Sequence, residues 1–439
     1  MRSLDKCPEV KVDEFSPTRI LPLDSVEFKL EFLTPLYGGG VIAGEVDEVT
    51  PVRAPSIRGQ LRFWWRATRG AAFDNVTALK NREDEVWGST DKPSPVEVVV
   101  EGPEKIEYRK KDDHGGPFGF EKYGPESYAL FPALNDDDAG DLAKEGLTFN
   151  VNISWPSDRN IDKDIRAAIW AWVNFGGLGA RTRRGLGSLW CKDQPERYHA
   201  DDLDAFEQWF NDAVSQFELD HLGTPRPWPV LPRAFLYLKK CGGSALDAWH
   251  EGLSVLKLFR QGKNIGRDPG RENRPGRSRW PEAESIREIA VEQLGKNRKE
   301  LRLKSKDNRP IPTPYFPRAE FGLPIIFEIR NEGLKPTLLP PSTNGERMAS
   351  PVVIRPLRFV NESHATLIFF LATHPLNQAR LKPSNKDKLK KEVQIDASHI
   401  RNPELTSYKN SPLAGTSTGS ALEGFRNFIK TRGFKEVKP

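Results

Sequence analysis

Apolar and polar side chains alternate through Val26, Phe28, Leu30 and Phe32 before the alternation breaks at Pro35 and the glycines Gly38–Gly40. A half-buried strand running into a loop is predicted. Stretches 94–102, 126–134 and 147–155 read as further strands, the last with strict alternation. Between them, residues 56–70 (SIRGQLRFWWRATRG) follow a different period. At about 100° per residue, Arg58, Arg62, Arg66 and Arg69 fall in one quadrant, with Ile57, Leu61, Trp64 and Trp65 beside them. An amphipathic helix is predicted, with Ser56 as its N-cap and Gly70 ending it. Residues 162–177 form a second helix, followed by a glycine-rich loop and a short strand. This order predicts a split βαβ, ferredoxin-like unit with one elaborated hairpin.

The pattern pauses over 192–232, where a helix (202–214) and the proline-rich stretch GTPRPWPVLPR lie, and then restarts. A strand at 233–240, helices near 244–260 and 283–297, strand candidates at 323–330, 350–360 and 364–373, and a helix over 420–433 make a second half. The run 379–393 (ARLKPSNKDKLKKEV) is lysine-rich and reads as a solvated loop or helix end. The fold class expected is α+β, with two halves of about 200 residues each, divided as 1–215 and 230–439.

Composition narrows the function classes. The 439 residues carry a net charge of only +5, so any affinity for polyanions must come from local clusters. Three scattered cysteines without CxxC spacing indicate neither a disulfide framework nor zinc. The longest apolar run, LIFFLA at 367–372, is too short for a bilayer, so a soluble, cytoplasmic protein without membrane contact is expected.

Three basic elements carry the candidate chemistry. The first is the stripe Arg58, Arg62 and Arg66 with Arg53 before it, and no carboxylate stands three or four residues away to pair with it. Guanidinium forks without internal acceptors suit phosphate. The second is GGLGARTRRGLGS (176–188), where Gly177, Gly179 and Gly185 allow close backbone approach and Arg181, Arg183 and Arg184 supply charge. It lacks the lysine and hydroxyl of a Walker loop and follows a helix, the reverse of a dinucleotide fingerprint. The third spans Arg260 to Arg279, with Arg260, Lys263, Arg267, Arg271, Arg274, Arg277 and Arg279 against Asp268 and Glu272. Trp280 at its end offers a face for base stacking. The seven histidines are spread without catalytic or metal-ligand spacing and no GxSxG occurs, so no catalytic residue, metal or cofactor is expected.

The stretches TPLYGGG, VRAPSIRGQLRFWWRA, VWGSTDKPSPVEV and GGLGARTRRGLGS resemble the RAMP proteins, the RNA-binding subunits of CRISPR systems. PGRENRPGRSRWPEAESIR and RMASPVVIRPL resemble in particular the two-domain RAMP subunit numbered first in Cmr (type III-B) effector complexes. That resemblance implies two ferredoxin-like domains and a non-nucleolytic subunit that contacts guide or target RNA near the guide 3′ end, in single-stranded form, beside other Cmr subunits in antiviral defence. It assigns RNA contacts to the arginine helix, the glycine loop and the basic loop. A RAMP endoribonuclease that processes guide RNA is the alternative, distinguished by a histidine or carboxylate in the arginine helix or its flanking loop, where this chain has only arginine, serine and tryptophan. A nucleotide-binding enzyme is disfavoured by the missing Walker residues.

Overall fold

The computed structural model describes residues 22–103, 105–111, 116–134, 140–191, 203–219, 226–270, 276–297, 300–301, 314–329, 332–342, 345–385, 387–407 and 410–438. The first half runs through β1 (Leu23–Phe32), α1 (Ala54–Ala67), α2 (Val76–Trp87), β2 (Glu97–Glu101), β3 (Tyr108–Arg109), α3 (Pro125–Ala129), α4 (Phe131–Leu134), β4 (Leu142–Ala143), β5 (Thr148–Pro156), α5 (Asp162–Phe175) and β6 (Leu189–Cys191). Its main sheet is ordered β2-β5-β1-β6 with antiparallel neighbours, and β3 and β4 form a separate two-stranded ribbon. After α6 (Leu203–Gln216), the second half continues with β7 (Val230–Cys241), α7 (Ala245–Gln261), α8 (Glu282–Leu294), β8 (Ile325–Ile326), β9 (Thr337–Leu339), β10 (Val352–Arg358), β11 (His364–Ala372), β12 (Gln378–Lys382), β13 (Val393–Asp396), α9 (Ala397–Ile400), α10 (Ala421–Lys430) and β14 (Lys435–Val437). Its main sheet is ordered β10-β11-β7-β14, again antiparallel.

Counted within its own half, each main sheet runs second, third, first, fourth strand, with helices crossing after the first and third. This is the split βαβ order in both halves, and the fold is two ferredoxin-like units in tandem. The halves are stacked in layers. One face of the second sheet, through Leu236, Leu238, Val353, Leu367 and Phe369, shares a core with Trp64 of α1, Phe175 of α5 and Phe210 of α6. Phe175 and Phe369 meet edge to face, ring centroids 5.6 Å apart. The opposite face, through Tyr237, Ile354, Ile368 and Phe370, packs on Trp249 and Leu253 of α7 and Phe425 and Ile429 of α10. Covered on both sides, β10 and β11 are buried along nearly their whole length, which accounts for their continuous apolar runs, LIFFLA included. No helix among the described residues is long and apolar enough to cross a membrane.

Local departures from the sequence reading have physical reasons. Residues 126–134 are the helices α3 and α4, because Pro125 fits a helix's first turn and Ala129, Leu130 and Ala133 bury at helical spacing. Helix α1 begins three residues earlier than expected. Arg53 is its N-cap without a side-chain bond, Pro55 sits in its first turn, and Gly70 belongs to a following 3-10 turn, Arg69–Ala72. The lysine-rich run 379–393 contributes strands, β12 and the start of β13, to a third sheet ordered β13-β12-β9-β8. Ala379, Leu381 and Ile395 bury there against Ile286 and Ile289 of α8, while Lys382, Lys388, Lys390 and Lys391 stay exposed. This subdomain is assembled from two insertions, one between α7 and β10 and one between β11 and α10.

Candidate nucleic-acid interface

The arginine stripe of α1 does find acceptors, from outside its own helix. Arg62 Nε and Arg66 Nη1 both donate to the same carboxylate oxygen of Glu83 on α2, at 2.7 and 2.6 Å. Glu83 is only 6% exposed. Arg58 donates to the Val96 carbonyl at 3.1 Å, and Arg69 to the Phe217 carbonyl and the Glu218 carboxylate. One acid between two guanidiniums leaves a net positive charge, and Arg58, Arg62 and Arg66 stay half-buried with part of each fork open. The apolar face is placed as expected: Ile57, Leu61, Trp64 and Trp65 are all buried.

The glycine loop is folded against two partners. Leu178 N–H donates to the Gly187 carbonyl at 3.0 Å and Gly177 bridges to Ser188, closing the loop as a hairpin. Gly179, at φ +78°, lies so close to the Gly38–Gly40 turn that a Cβ would stand 2.5 Å from the Tyr37 carbonyl. Arg53 donates to the Gly40 carbonyl at 2.8 Å, which joins the start of α1 to the same turn. Gly185, at φ +81°, faces the second half, where a Cβ would stand 2.6 Å from the Trp249 ring. Thr34 Oγ1 and Ser188 Oγ both donate to its carbonyl.

The loop's arginines are used in this docking. Arg181 takes the left-handed conformation at φ 62° and donates from Nε to the Ala129 carbonyl at 2.9 Å. Arg183 donates to the Ser350 carbonyl, and its guanidinium lies 5.4 Å from the Phe63 ring centroid. Arg184 is buried and donates to the Val352 carbonyl at 2.9 Å, while the Trp249 indole donates to the Arg184 carbonyl. Burial pushes Arg183 down to about 10 and Arg184 to about 9, and both stay cationic at neutral pH. The second half answers with Arg355, 2% exposed on β10, whose fork reaches the carbonyls of Val173, Gly176 and Leu189. Sequence reasoning passed over it, although a lone cation inside the apolar run SPVVIRPL is a readable signal of a buried, fully hydrogen-bonded group.

In the third element, Arg271 and Arg274 lie outside the described residues. Arg277 pairs with the buried Glu284, with Nε to Oε1 at 2.8 Å, and Arg279 with Asp268 at 3.0 Å. Trp280 corrects an expectation. It is 1% exposed, edge-on to Phe259, with its indole N–H donating to the Arg260 carbonyl and the Arg318 guanidinium 5.7 Å from its ring. Its size and apolar surface draw it into the core, so neither face is open for a stacked base.

Residues 29–190 match the family model of the RAMP superfamily. Over 173 residues the chain is 33% identical to the CRISPR system Cmr subunit Cmr1-1 of Pyrococcus furiosus, covering 37% of this chain and 46% of that protein. It is 29% identical over 177 residues to Cmr1-2 of the same organism, covering 37% of this chain and 92% of the relative. The match to the first thus spans less than half of that relative's length. The apo crystal structure of Cmr1 from Pyrococcus furiosus shares the fold with a TM-score of 0.50 at 17% identity, over 95% of this chain and 99% of that one. The match to the RAMP superfamily model lies over residues 29–190, which carry the arginine helix and the glycine loop, and the chain is similar in sequence to Cmr1 subunits.

Proposed function

We propose that this protein is a non-catalytic, RNA-binding subunit of a type III-B CRISPR (Cmr) ribonucleoprotein, contacting single-stranded guide or target RNA near the guide 3′ end beside other Cmr subunits. The observation that carries the reading is the match of residues 29–190, which hold α1 and the glycine loop, to the RAMP superfamily model, beside 33% identity to a Cmr1 subunit over 173 residues. The geometry supports it. Arg53 bonds to the Gly40 carbonyl and Gly179 packs on Gly39, so these three partly exposed glycines form one stretch of backbone near the cations Arg53 and Arg181. The two ferredoxin-like units, 1–215 and 230–439, act as one body in this reading, because the RNA surface of the first is braced by β10 of the second.

The test is binding of a fluorescent single-stranded RNA by the whole chain across a salt series. Log affinity is expected to fall linearly with log salt, by roughly 0.7 for each phosphate contact. A flat response between low and physiological salt overturns the electrostatic reading. Crosslinking in the assembled complex, with guide and target labelled separately, then assigns the strand.

A further inference from the structure

We propose that the seam between the two halves holds a slot for a single RNA base, formed by the face of α1 opposite its arginine stripe. The proposal rests on the RNA-binding reading and gives it a contact point. A cleft of about 200 Å³ opens there. Its floor is apolar, with Trp64 and Phe175 from the first half and Val353 and Leu371 from the second. Its rim is Gln60, Phe63, Thr182 and Arg183.

Each part suits a nucleobase. The cleft is smaller than the roughly 300–1,000 Å³ of sites for drug-sized ligands, which limits it to about one flat heterocycle. Phe63 is half-buried at the rim, already under the Arg183 guanidinium, so an aromatic face and a cation stand together where a base and its phosphate would sit. Hydrogen-bonding capacity is also spare. Among the described residues the Gln60 amide and the Thr182 hydroxyl make no hydrogen bond, although both line the cleft. An amide carries donors and an acceptor, the complement that a base edge requires. Gly176 keeps the wall thin, since a Cβ there would stand 2.4 Å from the Trp64 indole nitrogen. The acid that neutralises the stripe, Glu83, approaches α1 through Arg62 and Arg66 and is not among the lining residues.

The experiment compares two probes on the full chain by fluorescence anisotropy at fixed low salt: a single-stranded homopolymer RNA, and an all-abasic ribose-phosphate chain of the same length. Wild type is expected to bind the RNA about tenfold tighter than the abasic chain, as one stacked base implies. Phe63→Ala should remove that advantage and leave abasic binding unchanged. Gln60→Ala, at a half-buried rim position, should keep the fold and flatten the ranking among the four homopolymers. Equal binding of both probes by wild type, or equal weakening of both by Phe63→Ala, overturns the slot and leaves the RNA reading standing. Failure of wild type to bind either probe overturns the RNA reading itself, and the slot with it. Should Phe63→Ala melt earlier than wild type, Gln60→Ala decides: an unchanged homopolymer ranking overturns the slot.

Discussion

Arg355 on β10 of the second half donates to the carbonyl of Gly176, the first residue of the first half's glycine loop, at 3.1 Å. The same guanidinium reaches Val173 at the end of α5 and Leu189 at the start of β6, so one buried side chain ties together the helix end, the loop and the strand that follows it. Arg183 and Arg184 make the reverse connection, from the loop to the backbone at Ser350 and Val352. The loop's shape therefore depends on the second half being docked. Arg355→Met is expected to cost at least about 3 kcal/mol, because several buried carbonyls lose their donor. Arg355→Lys keeps the charge and loses the planar fork, and should fall between the two. Chemical denaturation measures both, and a loss below about 1 kcal/mol for the methionine variant contradicts the bracing role.

Two glycines separate loop geometry from helix propensity. Gly185 sits at φ +81° against Trp249, so Gly185→Ala incurs both a left-handed backbone penalty of about 1–3 kcal/mol and a steric clash. Gly59 lies exposed inside α1 with nothing within 4 Å of an added Cβ, so Gly59→Ala should stabilise by about 0.8–1.0 kcal/mol. Thermal melts of the two single variants should move in opposite directions.

How legible all this is in the sequence depends on the range of the interaction. The helix period of α1 and α5 and the alternation of β1 and β5 are local, and those elements stand within a few residues of expectation. Of the third sheet only β8, inside the strand expected at 323–330, was legible. The sheet's strands are two to five residues long, and the halves of its β9–β12 pair come from separate insertions, so no window holds a full pattern. The stripe of α1 was half legible. Its arginines lack acids at helical neighbour positions, but Glu83 reaches them from 17 and 21 residues away along the chain. Trp280 misled because its polar neighbours describe the chain on either side of it and not the core it enters.

The shared acid makes a prediction about coupling. Arg62→Ala and Arg66→Ala should each cost no more than about 1 kcal/mol, since each is partly exposed and the other still pairs with Glu83. Removing both strands a buried carboxylate, and the double variant should lose about 3 kcal/mol, more than the sum. Trp64→Ala, on the buried face, should cost about 3–5 kcal/mol by itself. If the stripe also meets phosphate, Arg62→Ala lowers the salt slope of RNA binding by roughly 0.7. Additive single and double values would mean that Glu83 is not the common partner.

The last prediction concerns catalysis. Cleavage at a ribose 2′-hydroxyl without metal needs a general base within about 3 Å and a group that stabilises developing charge. Arginines around the glycine loop provide the second, but with Arg183 at about 10 and Arg184 at about 9 they are protonated at neutral pH and cannot serve as the base. Three of the described histidines are engaged elsewhere: His250 with Glu126, His364 with the Gly243 carbonyl and His399 with Asp396. No group of three or more acid, histidine or cysteine side chains among the described residues is arranged to hold a metal ion. On the proposed scaffold reading, the protein is expected to bind end-labelled RNA and leave it intact on a denaturing gel, with or without magnesium or manganese. His114 lies outside the described residues, beside Asp112 and Asp113 in sequence, and is the first residue to replace if cutting is seen. Cleavage that disappears in His114→Ala while RNA affinity is retained would replace the scaffold with a nuclease.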